Sequence, residues 1–158
     1  MLFPHDDSLN DWVDKLTPTK TKQVEDEKIQ FRATTDSATK ERLRQLEKAY
    51  LAKASKSGKP PKRGIQNYLL ADTVLWVYSS EKHRRDLERF YTDQWLPYLA
   101  PVERAEAFQL KWSTVANDAL HVIAHENIGS NNKSETLRVI IAFVAERRYG
   151  LELKRVYP

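Results

Sequence analysis

Two short stretches of the chain alternate apolar and polar residues with a period of two. In Lys28-Ile29-Gln30-Phe31-Arg32-Ala33 the alternation puts Ile29, Phe31 and Ala33 on one face and Lys28, Gln30 and Arg32 on the other. From Ala107 to Trp112, the apolar Phe108, Leu110 and Trp112 interleave with Ala107, Gln109 and Lys111. Both stretches read as strands with one buried face. The segments between and after them follow helical spacing instead. Thr34-Thr35-Asp36-Ser37 is a cluster of helix-capping residues, and beyond it Leu43, Leu46 and Tyr50 form a stripe on a charged segment ending near Ala54. Asn67 opens an apolar helix carrying Leu70, Val74 and Val77, and Ser79-Ser80 predicts a break. A helix from Glu81 to about Trp95 sets Leu87, Phe90, Tyr91 and Trp95 on one side, and Pro97 and Pro101 are expected to end it.

After the second strand, Ser113-Thr114 can cap a helix with Val115, Ala119, Val122 and Ile123 inward. It stops at Gly129, well placed as a left-handed C-terminal cap. Lys133 to about Tyr149 forms a last helix with Leu137, Ile140, Ile141 and Val144 on one face. Residues 1–26 read as an arm, in which Ser8 caps a short helix striped by Leu9, Trp12, Val13 and Leu16. Thr17 to Glu27 is a polar linker. Ser55 to Gly64, with Gly58, Pro60 and Pro61, is a loop.

The order strand, helix, turn, helix occurs twice. Superposing the copies aligns Lys28-Ile29-Gln30-Phe31-Arg32 on Ala107-Phe108-Gln109-Leu110-Lys111, so a Gln and a cation fall at equivalent outward positions. Asn67 to Leu70 aligns on Ser134 to Leu137, and Val74 and Val77 on Ile141 and Val144. This arrangement resembles the ribbon-helix-helix family. Phe108 to Trp112 looks like the family's ribbon strand, and Asn131-Asn132-Lys133-Ser134-Glu135-Thr136-Leu137-Arg138 like its polar turn into the second helix. In the first copy, Lys62 to Asn67 is a looser version of that turn.

The resemblance implies a mostly α fold with a two-stranded antiparallel ribbon, built as two fused ribbon-helix-helix units related by a pseudo-twofold axis. The expected division is an arm at 1–26, a first unit at 27–79, a connecting helix at 80–106, a second unit at 107–150 and a tail at 151–158. One such unit cannot fold alone, because its strand lacks a ladder partner. Two in one chain can pair internally, giving a monomeric pseudo-dimer.

A two-stranded ribbon fits the DNA major groove. The resemblance therefore implies a sequence-specific double-stranded DNA-binding protein. Lys28, Gln30, Arg32, Gln109 and Lys111 would contact bases, with Arg or Lys suited to guanine O6/N7 and Gln to adenine N6/N7. Arg63, Asn67, Asn131, Asn132, Lys133 and Ser134, at the starts of the second helices, would contact phosphates, where free backbone N–H groups attract anions. Each of these residues also has an ordinary reading, as solvent-facing strand surface or as plain helix caps. Single-chain tandem forms of the family serve DNA transfer, which makes an accessory role in DNA transfer or plasmid maintenance the expectation. A relaxase or other protein partner would bind through the arm. The alternative is a transcriptional repressor or an antitoxin-like protein whose arm holds a partner.

Charge agrees with a polyanion partner. The chain of 158 residues has a net charge of +4. From Ala38 to Gly64, nine Lys/Arg face only Glu41 and Glu47, a local +7. The stretch from Lys53 to Arg63 reads as a DNA-clamping loop or a solubilising insertion. Cysteine is absent, which excludes disulfides, thiolate metal sites and cysteine nucleophiles. His121 and His125 lie four apart before Glu126, without the order of a metalloprotease motif or an evident third ligand. His83-Arg84-Arg85 with Tyr78 or Tyr91 could belong to a nicking enzyme, yet no paired-histidine metal motif accompanies them, and no Gly-rich phosphate loop or nucleophile elbow appears. The expectation is a non-enzymatic protein needing no cofactor and no metal. No apolar run is long enough for a membrane span, and Asp6 and Asp7 interrupt any signal peptide, so a cytoplasmic location is expected.

Overall fold

The computed structural model of the chain describes residues 28–57, 65–101 and 106–153. Two strands, Lys28–Thr35 (β1) and Glu106–Ser113 (β2), pair antiparallel into one ribbon. The helices are Ser37–Ser57 (α1), Ile65–Tyr78 (α2), Glu81–Phe90 (α3), Thr114–Ile123 (α4) and Lys133–Arg147 (α5). Two of them continue with wider π-helical turns, α3 through Tyr91–Leu99 and α4 through Ala124–Ile128.

The local chemistry explains where these elements start and stop. Asp36 accepts the N–H and the hydroxyl of Thr39, each at 3.0 Å, and so opens α1. Ser80, Ser113 and Asn132 cap α3, α4 and α5 by accepting the N–H three residues on. Gly129, at φ 73°, ends the helical run after α4 in the left-handed region that a residue without Cβ enters freely. The helix from Glu81 does not stop at Pro97. It runs on to Leu99, where the Ala100 N–H reaches back five residues to the Trp95 carbonyl at 2.7 Å. Trp95 and Leu99 are buried, and the wider turns keep both on the core side.

The expected pair of fused ribbon-helix-helix units is overturned. Among the described residues there is a single ribbon, with three helices between its strands and two after them, and these helices share one core. The connecting segment is part of that core, because Leu87, Phe90, Trp95 and Leu99 are all buried in it. Phe90 packs edge-on against Phe143 of α5, with ring centroids 5.5 Å apart. The last helix is also not one-faced: every residue from Thr136 to Ala145 is buried. It touches β1, α1, α2, α3 and α4, so it is the hub of one structure and not the second helix of a separable unit. Burial on all sides removes the amphipathic stripe that a peripheral helix would show.

Just past the end of α5, a buried polar pair joins this hub to α2. Arg148 lies 3.3 Å from the Asp72 carboxylate, with both side chains nearly inaccessible, and its guanidinium sits 5.5 Å over the rings of Trp76 and Tyr149. Burial pushes the Asp72 carboxyl up from its usual range, and Arg148 opposes that shift. Nearby, burial and then the Asp72 charge push the Tyr50 hydroxyl up to about 12.

Candidate nucleic-acid interface

Each strand starts exposed and ends buried. Along β1, Lys28, Ile29 and Gln30 are exposed, while Ala33 and Thr35 are in the core. Along β2, Glu106 and Ala107 are exposed, while Leu110 and Trp112 are buried. The inner face is thus made of Ala33, Leu110 and Trp112, with Phe31 and Phe108 half-buried. Phe31 stacks on Trp112 at 6.0 Å between centroids. Ile29, expected on that face, is 41% exposed even though it pairs with the buried Trp112, because no other apolar side chain among the described residues covers it near the start of β1.

The five residues expected to contact bases are exposed together on the opposite face. The register sets Lys28 across from Ser113, Gln30 across from Lys111 and Arg32 across from Gln109. Phe31 faces Leu110 between the last two pairs, so Gln30, Arg32, Gln109 and Lys111 form a block of two rows by two strands. Among the described residues, none of the five side chains has a hydrogen bond or ion pair. Two Gln amides and three cations therefore point outward with their donors and acceptors unspent.

The residues expected to contact phosphates have a more mixed placement. Asn132 is the cap of α5 and accepts the Glu135 N–H at 2.9 Å, so its side-chain oxygen is already used. Ser134 accepts the backbone N–H of Thr34 at 3.2 Å, which ties α5 to the ribbon. The Lys133 ammonium stands 4.9 Å over the Phe31 ring, beside the strand that carries Gln30 and Arg32. Asn131 is exposed in the turn before α5. Asn67 is not the opening residue of its helix. It is the third residue of α2, and half-buried. Arg63, with most of the basic loop, lies outside the described residues, as do the arm at 1–26 and its stripe.

Sequence reasoning missed the group that seats the ribbon. Arg138 donates to the Thr34 carbonyl at 3.0 Å and to the Thr34 hydroxyl, and its Nε lies 3.8 Å from the Asp36 carboxylate. Both charged side chains are nearly inaccessible. Burial pulls the Arg138 guanidinium down from its usual range, and Asp36 opposes that shift. Arg42, also buried, is shifted the same way for the same reasons. An arginine flanked by Leu137 and Val139 in an apolar helix was the available signal, since such a charge needs a partner.

The other chemistry considered is taken up structurally or stays apart. His83 stacks on Trp76 at 3.8 Å, and its Nδ1 lies 2.9 Å from the Trp76 carbonyl. Arg84 lies 5.4 Å over the Tyr78 ring. His121 and His125 are exposed, and among the described residues no three metal-ligating side chains converge. Among the described residues, no helix is long and apolar enough to cross a membrane. No family model, curated protein or solved structure matches the chain.

Proposed function

We propose that this protein binds double-stranded DNA sequence-specifically by laying the outer face of its ribbon in the major groove. The observation that carries this reading is the exposed block of Gln30, Arg32, Gln109 and Lys111, whose side chains have no partner among the described residues. Its dimensions suit the groove. Paired strands lie about 4.8 Å apart, and successive outward residues on one strand are about 7 Å apart. The major groove is about 12 Å wide, and 7 Å along it is roughly two base-pair steps. Four side chains in that block reach about three consecutive base pairs. Arg32 and Lys111 offer donors for guanine, and the two Gln amides each offer the donor and acceptor that adenine requires.

Lys133 beside the ribbon supplies a phosphate contact at its flank, and phosphate contacts set register without reading sequence. The ribbon-strand and polar-turn resemblance to the ribbon-helix-helix family supports the same reading. A role in DNA transfer or plasmid maintenance extends it.

Selection from random duplex DNA, followed by anisotropy titration on the enriched site, tests the proposal. Arg32→Ala and Gln109→Ala should each weaken the selected site and leave binding to scrambled duplex nearly unchanged. Parental affinity in both variants rules the ribbon out as the reading element.

A further inference from the structure

The outer face of the ribbon differs between its two ends. Its successive rows are Lys28 with Ser113, Gln30 with Lys111, Arg32 with Gln109, and Thr34 with Ala107. Cations occupy the first three rows. The fourth has none, and beyond it Glu106 sits across from Thr35, where its carboxylate meets Lys40 of α1. The Thr34 end is also the one fastened to α5 by Arg138 and Ser134.

Both strands come from one chain, so a complete reading surface exists without a second copy. A ribbon made by two identical chains repeats the same residues on both strands and reads mirrored half-sites. Here a half-turn about the Phe31–Leu110 pair leaves Gln30 and Gln109 exchanged for one another. The same half-turn exchanges Arg32 for Lys111 and Lys28 for Ala107. Reversal therefore preserves both adenine-type contacts, replaces a bidentate fork with a point charge, and places a methyl group where a cation had been.

We propose that one copy of this chain occupies one non-palindromic duplex site in a single orientation, with Arg32 as the residue that sets the direction. The inference rests on the DNA-binding reading above and adds stoichiometry and polarity to it. The two orientations on the selected site should differ roughly tenfold or more in affinity, the difference a lost bidentate base contact produces.

The absence of cysteine allows a clean test. Glu106→Cys places a single thiol at one end of the ribbon for an iron chelate that cuts nearby DNA. Ala107→Cys, exposed at the same end, replaces it if the first variant does not fold. The labelled full chain is bound to the selected duplex, the cut positions are mapped on both strands, and sedimentation gives the number of chains per duplex. Cuts on one side of the site with one chain bound are the expected result. In the Lys28→Ala/Arg32→Lys double variant, the cuts should then spread to both sides. Cuts on both sides of a palindromic site holding two parental chains overturn the inference and leave DNA reading by the ribbon intact. Failure of selection to enrich any site, with cuts scattered along the duplex, overturns the reading and the inference with it.

Discussion

The two strands of the ribbon are anchored at their buried ends by different chemistry. The end of β1 is held by directional polar contacts: the Thr34 N–H to Ser134 at 3.2 Å, its carbonyl to Arg138 at 3.0 Å, and Arg138 in turn against Asp36. The end of β2 is held by depth. Trp112 is buried, stacks on Phe31, and places its Nε1 3.4 Å from the Asn117 side-chain oxygen. Apolar burial is strong but indifferent to angle, whereas hydrogen bonds to a charged group lose strength quickly when the geometry changes. The aromatic end thus keeps the ribbon on the core, and the polar end fixes how its outward rows are aimed. The proposed base reading would need both, because a base contact misplaced by an ångström is lost.

Substitutions that separate depth from direction follow from this difference. Trp112→Ala removes the largest buried side chain of the ribbon and should cost about 3–5 kcal/mol of stability, read from urea melts. A loss below about 1 kcal/mol would show that the β2 end is not held by packing. Arg138→Met keeps most of the volume but removes the Arg138 contacts to Thr34 and Asp36, and with Asp36 still held by Thr39 and near Arg42 about 1–3 kcal/mol should be lost. Hydrogen exchange should then accelerate at the Thr34 and Thr35 amides ahead of those of β2. Equal acceleration in both strands contradicts the separate anchoring.

On the proposed DNA site the expected effects are smaller and specific to sequence. Arg32→Ala should weaken the selected site by about 1–3 kcal/mol with the melting temperature nearly unchanged. Lys40→Ala breaks only the exposed pair with Glu106 and should cost less than about 1 kcal/mol. A larger loss would give the polar end a second anchor.

A control away from the ribbon uses pH. Tyr50 is raised to about 12 from an ordinary 10.0. Its contribution is fully present below pH 10 and is lost as pH rises towards 12, because the unfolded chain ionises first. Tyr50→Phe should therefore flatten the alkaline loss of stability in that window without changing the order in which the two strands exchange.

What could be read from the residues follows from what acts locally. The period-two alternation at Lys28–Ala33 and Ala107–Trp112 requires no partner to be recognised, since it follows from strand geometry alone. The caps at Ser113 and Asn132 and the left-handed Gly129 depend on neighbours within a few positions, and they stand where expected. The outward set Lys28, Gln30, Arg32, Gln109 and Lys111 was legible for the same reason. Ser134 was legible as a residue at the start of a helix, but not as the acceptor for Thr34, because that contact joins residues 100 positions apart.

The expectation of two fused units failed on a similar distance. Helical spacing assigned one buried stripe to Leu137, Ile140, Ile141 and Val144, yet the whole run from Thr136 to Ala145 is enclosed. Periodicity reports which residues could share a face; how many neighbours close around a helix depends on the rest of the chain. Pro97 likewise predicted an end by local sterics, and burial of Trp95 and Leu99 outweighed it. Alternation, capping and charge were therefore determined by the sequence itself, because each acts over a few residues. The single core, the seat that Arg138 provides for the ribbon and the exposure of Ile29 were decided only by the tertiary structure. Each depends on segments far apart in the chain competing for the same buried space.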